Sequence, residues 1–260
     1  MFFCKWFSKK QKLKFVSTIP GMENIAPPIH SRNLLADWKH LESLEFSNFY
    51  KQETPGEKYK MAFRCPGMFN IQTSGWIIRS FQDINIKTKS GVDNIEWSSA
   101  LNQKVFSGED IVSFHTKEAF ADVVSAFPKH THSSVVKINT GWKVIIPDGY
   151  FLLQLPLTNF TENRFTAVPG SYSYKLKIAE INVPLLWHEL KNDTLIEAGT
   201  PLCQLILVKS ENPEFEITTF NKLSDFDKGI FETYGSIKHN KFVRSYKNME
   251  KIMSNVSSKK

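Results

Sequence analysis

Residues Ile138 to Leu157 read INTGWKVIIPDGYFLLQLPL, two apolar runs of strand length parted by Pro147-Asp148-Gly149 and closed by Pro156. Trp142, Val144 and Ile146 alternate with Lys143 and Ile145. Pro147 presets φ for a turn, Asp148 can hydrogen-bond its own backbone, and Gly149 reaches positive φ at no steric cost. As local physics this is a β-hairpin, and it commits the middle of the chain to β structure.

The β reading extends from Ser133 to Lys209. After the hairpin come RFTAVPG, KLKIAEINVPLLW and TLIEAGTPLCQLILV. In KLKIAEINV the apolar phase breaks, with Leu176 and Ile178 on one face and Ile181 and Val183 on the other. A bulge near Ala179-Glu180 restores the register. Pro184 places the strand's end at a sheet edge. With 21 Phe and 6 Trp, the composition also favours a mainly β protein.

Outside that region the patterns are mixed. Residues 1–30 form an extended basic, aromatic arm ending at Pro27-Pro28, in which Lys5, Trp6, Lys9, Lys10, Lys12 and Lys14 precede the first acid, Glu23. Docking of its aromatics on its own domain or a neighbouring subunit is favoured about two to one over contact with an anionic membrane or nucleic acid. Ser31 to Phe46 suggests a helix with Ser31 as N-cap. From Tyr59 to Trp97 strands dominate, with Gly67 and Gly75 as turns. Phe114 to Phe127 has helical spacing and stops at Pro128. Ser224 to Tyr234 is helical, and a last helix carries Phe242, Tyr246, Met249, Met253 and Val256 as one apolar stripe suited to an oligomer contact. The divisions expected are a 1–30 arm, a single 31–220 β-rich domain and a 221–260 helical tail.

The formal net charge of +7 is gathered at the two ends, so it does not by itself argue for a nucleic-acid groove. Cys4, Cys65 and Cys203 are far apart and make neither a disulfide framework nor a zinc knuckle; a reducing compartment fits. No stretch has the length of a membrane span, and the N-terminus lacks the marks of a secretory signal. His130-Thr131-His132 is followed by Ser133, Ser134, Val135 and Val136 where a metal-binding barrel has a carboxylate, and His188, with Glu189 beside it, is the only later histidine within the β region, so loop histidines are the default and no metal or other cofactor is expected. Gln204, polar within an apolar strand, must satisfy both ends of its amide, and it is assigned to pinning a neighbouring loop or subunit. Ser171-Tyr172-Ser173-Tyr174 reads as a turn with exposed tyrosines.

The stretch from Thr140 to Val208 resembles the dUTPase superfamily, the β-clip fold that also hosts dCTP deaminase. INTGWKVIIPDGYFLLQL is similar to the family's Thr-Gly, strand, Pro-x-Gly-Tyr segment. RFTAVPGSYSYKLKIAEINVPL sits where the family has its nucleoside-binding hairpin. IEAGTPLCQLIL resembles its closing motif through Gly199, Leu202, Gln204, Leu205 and Ile206. The resemblance implies a distorted β-barrel or jelly-roll with its core at about 133–209, an N-terminal β-rich extension and C-terminal helices. It also implies a homo-oligomer, in particular a trimer. A looser resemblance, through Arg64-Cys65-Pro66-Gly67-Met68 and the β-clip half, is to proteins encoded by tailed phages and some bacteria. It implies a viral context, in host cytoplasm or virion, with other phage structural proteins as partners.

The family's chemistry is not matched. Where it has an Arg-Ser-Gly turn for phosphates, this chain has LQLPLTNFTEN, with Arg164 the nearest cation; where it has an essential aspartate, this chain has AVPGSYSYK. Without a general base or a phosphate cradle, hydrolysis lacks its parts. The expected function is therefore a non-catalytic assembly or binding module. A divergent nucleotide-handling enzyme is the first alternative, and a nucleic-acid or membrane-surface binder acting through the lysine-rich ends is the second. Candidate ligand or interface residues are Tyr172, Tyr174, Arg164, Gln204 and Asp148.

Overall fold

The computed structural model describes residues 12–34, 66–88, 95–99, 110–116, 118–120, 131–158, 162–190, 192–211, 216–239 and 251–255. The chain divides into two compact units, residues 1–210 and 211–260.

The first unit is mainly β, and every strand pairing in it is antiparallel. Its strands are β1 (Lys14–Ser17), β2 (Ile29–His30), β3 (Trp76–Arg79), β4 (Ile84–Thr88), β5 (Ile95–Ser98), β6 (Val112–Thr116) and β7 (Ser134–Ile145), followed by β8 (Tyr150–Leu155), β9 (Phe165–Ala167), β10 (Gly170–Ser173), β11 (Ile178–Trp187), β12 (Asp193–Ile196) and β13 (Pro201–Lys209). One sheet runs β1-β7-β11-β9 with β6 also paired to β7; a second runs β10-β8-β13-β3-β2; a third runs β12-β4-β5. Ile138, Val144, Ile181, Val183 and Leu185 of the first sheet share a buried cluster with Leu152, Leu202, Cys203 and Leu205 of the second.

The stretch that opened the sequence reading is not a hairpin. β7 and β8 flank the turn, where the Tyr150 N–H donates to Pro147 O at 3.2 Å, yet they belong to different sheets. Each strand finds better partners elsewhere: Val144 lies between Phe15 and Ala179, and Leu152 between Tyr172 and Leu207. The turn residues thus make a corner between sheets, which requires the same φ/ψ chemistry as a hairpin turn.

The register of β11 against β7 shifts between Glu180 and Asn182, so the bulge is present. Pro184 does not end β11, and β11 is not an edge strand: it lies between β7 and β9 and runs on to Trp187. Val112–Thr116 is a strand against β7, where a helix from Phe114 was expected; pairing along β7 overrides the local periodicity, and residues 121–130 lie outside the described residues. Gly67 is not a turn, because residues Pro66–Thr73 form a helix, α2. A short first helix, α1, spans Met22–Ile25. Residues 31–34 are helical, but the Ser31 hydroxyl donates to Gln72 O at 2.5 Å, and the rest of that expected helix lies outside the described residues. Within the expected N-terminal arm, β1 pairs with β7 and β2 with β3.

In the second unit, helix α3 (Asp225–His239) starts at Ser224, whose Oγ accepts from the Asp227 N–H at 3.1 Å, the N-cap bond such a helix needs. Met253 lies in a helical stretch, 251–255. Phe242, Tyr246 and Met249 of the expected oligomer stripe lie outside the described residues, as do Lys5, Trp6, Lys9 and Lys10 of the basic arm.

Candidate functional site

β8 alternates so that Leu152 and Gln154 are buried while Leu153 and Leu155 are not. Gln154 is 2% exposed, and a primary amide so placed needs partners at both ends. Its Nε2 donates to Val168 O at 3.0 Å, and its Oε1 accepts from the Tyr172 hydroxyl at 2.8 Å. That hydroxyl also lies 3.1 Å from Asn182 O, at the bulge. Tyr172 is therefore no exposed turn residue. Burial, with a smaller contribution from Cys203, pushes its phenol well above the ordinary value. Cys203 is fully buried, its thiol likewise driven up by burial, which makes it an inert core residue.

This network explains how Pro184 sits inside a sheet. Continuing the β9–β11 register by one pair sets Val168 opposite Pro184, and the Val168 N–H donates to Pro184 O at 2.8 Å. Proline has no N–H to return. Val168 O takes its hydrogen bond from Gln154 of the second sheet instead. On the other side, Pro184 faces β7 without a ladder bond to lose, because antiparallel residues alternate the side to which their peptide groups point.

Gln204 is fully buried on β13. Its Nε2 donates to Ile71 O and Ser74 O, both at 2.7 Å, and its Oε1 accepts from Thr158 Oγ1. It holds the C-terminal end of α2, whose last carbonyls have no partner within the helix, to the loop that leaves β8. This is the pinning role that its sequence setting implies.

Arg164, the cation that follows LQLPLTNFTEN in the sequence, is committed within the fold. Its Nε donates to Glu162 Oε1 at 2.8 Å, its Nη2 to Glu162 Oε2 at 2.6 Å, and its Nη1 to Leu195 O. The Glu162 side chain is 8% exposed. Burial alone would oppose its ionisation, but the hydrogen bonds and charge of Arg164 outweigh that and hold it below the usual carboxylate range. The pair stands as a neutralised, forked ion pair.

The remaining candidates are peripheral. Asp148 pairs with Lys177 at 3.1 Å on the surface, a contact worth about 0–1 kcal/mol. Tyr174 is partly buried against the core at the head of a 3-10 turn, Tyr174–Leu176, which Ser173 caps by accepting from the Lys175 N–H. Lys12 and Lys14 are exposed.

His132 and His188 are tied into the fold. His132 is 6% exposed; its N–H donates to Trp187 O and its Nδ1 accepts from the Ser134 N–H at 3.0 Å. His188 lies between two hydroxyls, with Nε2 2.8 Å from Thr166 Oγ1 and Nδ1 3.3 Å from Thr131 Oγ1. Burial lowers its pKa, against a smaller opposing pull from Glu189. The unfolded chain then binds the proton more readily, so the stability His188 contributes is present above the free-histidine value and is lost as pH falls through the lowered native value. Denaturant titrations should show a loss of stability beginning as pH drops below about 6.5, and His188→Asn should flatten that slope; an unchanged slope contradicts the assignment. Among the described residues no group of three or more His, Cys, Asp and Glu is placed to hold a metal ion.

The structure thus unites Tyr172 with Gln154 and separates both from Gln204, Arg164 and Asp148 as bonded groups. Gln154 was legible in principle: FLLQL presents a polar residue on the buried face of an apolar strand, just as PLCQLILV does. The Glu162–Arg164 and Thr166–His188 pairs have no sequence signal beyond proximity or chance.

No family model matches the chain, and no curated protein matches it. Solved structures similar to it include a single-residue variant of the phage 80alpha dUTPase, 10% identical, with 85% of this chain and 95% of that one covered at a TM-score of 0.35. A variant of the dUTPase from phage phi11 of S. aureus is 10% identical, with 83% and 99% covered at 0.33. A variant of the Staphylococcus bacteriophage 80alpha dUTPase with dUpNHpp is 14% identical, with 66% and 86% covered at 0.26. TM-scores of this size describe loose superpositions.

Proposed function

We propose that the chain is a non-catalytic, phage-encoded β-clip protein that works as an assembly or binding module and associates with copies of itself. One observation carries this reading. The polar side chains in and around the segments where the resemblance puts nucleoside and phosphate chemistry are bonded inside the fold: Tyr172 to Gln154, Arg164 to Glu162, and Gln204 to α2. Each would have to break a part-buried internal bond before touching a ligand, and an unpaired buried polar group costs about 1–3 kcal/mol.

The purified protein, incubated with a panel of deoxynucleoside triphosphates and Mg²⁺, is expected to release neither pyrophosphate nor ammonia above the blank. Clear turnover of any nucleotide overturns the non-catalytic half of the reading. Sedimentation should give a particle heavier than the 29.9 kDa chain; a strict monomer at micromolar concentration overturns the assembly half. Detection in purified virions would place the module in the particle.

A further inference from the structure

At the β1 end of the first sheet the registers align Lys14, Ile145 and Ile178 in one row across three strands, and Val16, Lys143 and Glu180 in the next. Residues directly opposite one another on antiparallel strands share a face. Phe15, Val144 and Ala179, which alternate with them, pack into the core, so the two rows look outward. Val16, Ile145 and Ile178 are 40%, 37% and 48% exposed.

The 3-10 turn that leads into β11 adds to this face. Leu176 is 69% exposed. Lys177, alone among the described non-glycine residues, has a positive φ, of +62°. Its N–H donates to Tyr174 O at 2.8 Å, and its Nζ pairs with Asp148 at 3.1 Å, on the corner that follows Ile145. Strain of this kind persists only where the surroundings hold it, and here it is held by a turn that leaves an aliphatic side chain in solvent. Aliphatic side chains exposed side by side mark an interaction surface, where single ones would not.

The charges around the patch decide what can cover it. Lys143 is neutralised by Glu180 at 2.8 Å, and Lys177 by Asp148. Lys12, Lys14 and Lys175 are exposed and have no ion pair among the described residues. Glu23, which accepts from the Ser17 hydroxyl at 3.1 Å, is the neighbouring carboxylate outside a pair, so positive charge is in surplus. Protein interfaces draw on Trp, Tyr and Arg and are depleted in Lys. Nucleic acid is held largely through Arg and stacked rings. The two rows and the Lys175–Lys177 segment contain none of these, and a second copy would bring the same surplus of charge. Aliphatic groups among free lysines match the boundary of a bilayer, with acyl chains beneath phosphate headgroups.

We propose that this face docks on an anionic membrane surface, with Ile145, Leu176 and Ile178 entering the headgroup boundary and Lys14 and Lys175 meeting lipid phosphates. This gives the binding half of the proposed function a partner, and neither nucleotide turnover nor a monomeric chain would bear on it.

The test co-sediments the full chain with vesicles of phosphatidylcholine alone, or of phosphatidylcholine with one-third phosphatidylglycerol. The protein should pellet with the anionic vesicles, stay in solution with the neutral ones, and lose most of its binding between about 0.1 M and about 0.5 M salt. Lys14→Gln and Lys175→Gln should each weaken partitioning about fivefold. Leu176→Asp and Ile178→Asp, which replace an inserting group with a charge that the lipids repel, should each weaken it about tenfold or more. If Ile178→Asp disturbs β11, Leu176→Asp in the exposed turn decides the matter. No binding to anionic vesicles, equal binding to neutral ones, or binding undiminished by Leu176→Asp overturns the proposal. Duplex DNA is the competing polyanion: binding to DNA tighter than to vesicles, lost in Lys14→Gln and kept in Leu176→Asp, overturns it in favour of a nucleic acid.

Discussion

Gly75→Ala is expected to leave the protein unfolded under conditions in which Gly149→Ala remains folded. Both glycines have positive φ, +72° and +79°, so an L side chain pays a conformational cost of about 1–2 kcal/mol at either position. The difference lies in the space available. A Cβ on Gly75 would stand 1.9 Å from Leu205 O and 2.9 Å from Leu205 C, both backbone atoms of β13 in the middle of the second sheet. Nothing there can rotate away, and the Gly75 carbonyl is itself held by the Ser31 N–H at 2.9 Å. A Cβ on Gly149 meets nothing within 4 Å. The expected losses are about 4 kcal/mol or more at Gly75 and about 1 kcal/mol at Gly149, read from urea midpoints of the two variants. Gly141→Ala should fall between them, because its nearest contacts at 2.9 and 3.1 Å are the side-chain ends of Ile19 and Met22, which can shift. Equal midpoints for the Gly75 and Gly149 variants would mean that β13 does not press on Gly75 as described.

Gln204→Leu should cost about 3 kcal/mol, although leucine suits an apolar strand and nearly matches glutamine in volume. The substitution takes a bond from three groups at once, Ile71 O, Ser74 O and Thr158 Oγ1, of which Ile71 O keeps the Ser74 N–H at 3.3 Å. Amide exchange should report where the damage lies, with α2 and residues 157–158 losing protection ahead of β7 and β11. Gln204→Glu keeps the shape and the acceptor but cannot donate to the two carbonyls, so it should be no better than leucine. A loss of under about 1 kcal/mol for both variants would show that α2 is held by other contacts.

The sequence reading succeeds where one residue's chemistry has only one solution. Gln204 sits in a run too apolar for it to be solvated, so an internal bond was the sole outcome, and only the identity of the partner, α2, needed the structure. The break in KLKIAEINV demanded a bulge, and the register shift between Glu180 and Asn182 provides it. The reading fails where two structures share one local signature. Pro147-Asp148-Gly149 serves a corner between sheets as well as a hairpin, and nothing within Ile138 to Leu157 says that the preferred partners of its strands are β1, β11 and β13. Phe114 to Phe127 carries helical spacing, but Val112–Thr116 pairs with β7, a long-range contact that no window of that length contains. For the candidate site the limit is similar: Tyr172 and Arg164 are recognisable as capable groups, whereas their engagement by Gln154 and Glu162 depends on how three sheets close over one another.

The corner at Pro147-Asp148-Gly149 also governs the order of events during synthesis. β7 and β8 emerge in succession and cannot satisfy each other. β8 must wait for β10 and β13, and the far side of β7 must wait for β11. Two long apolar segments therefore leave the ribosome with open edges, that of β7 until Ile178–Trp187 has been made and that of β8 until Pro201–Lys209. Chains whose pairings are this distant fold slowly and run the greatest risk of sticking to one another on the way.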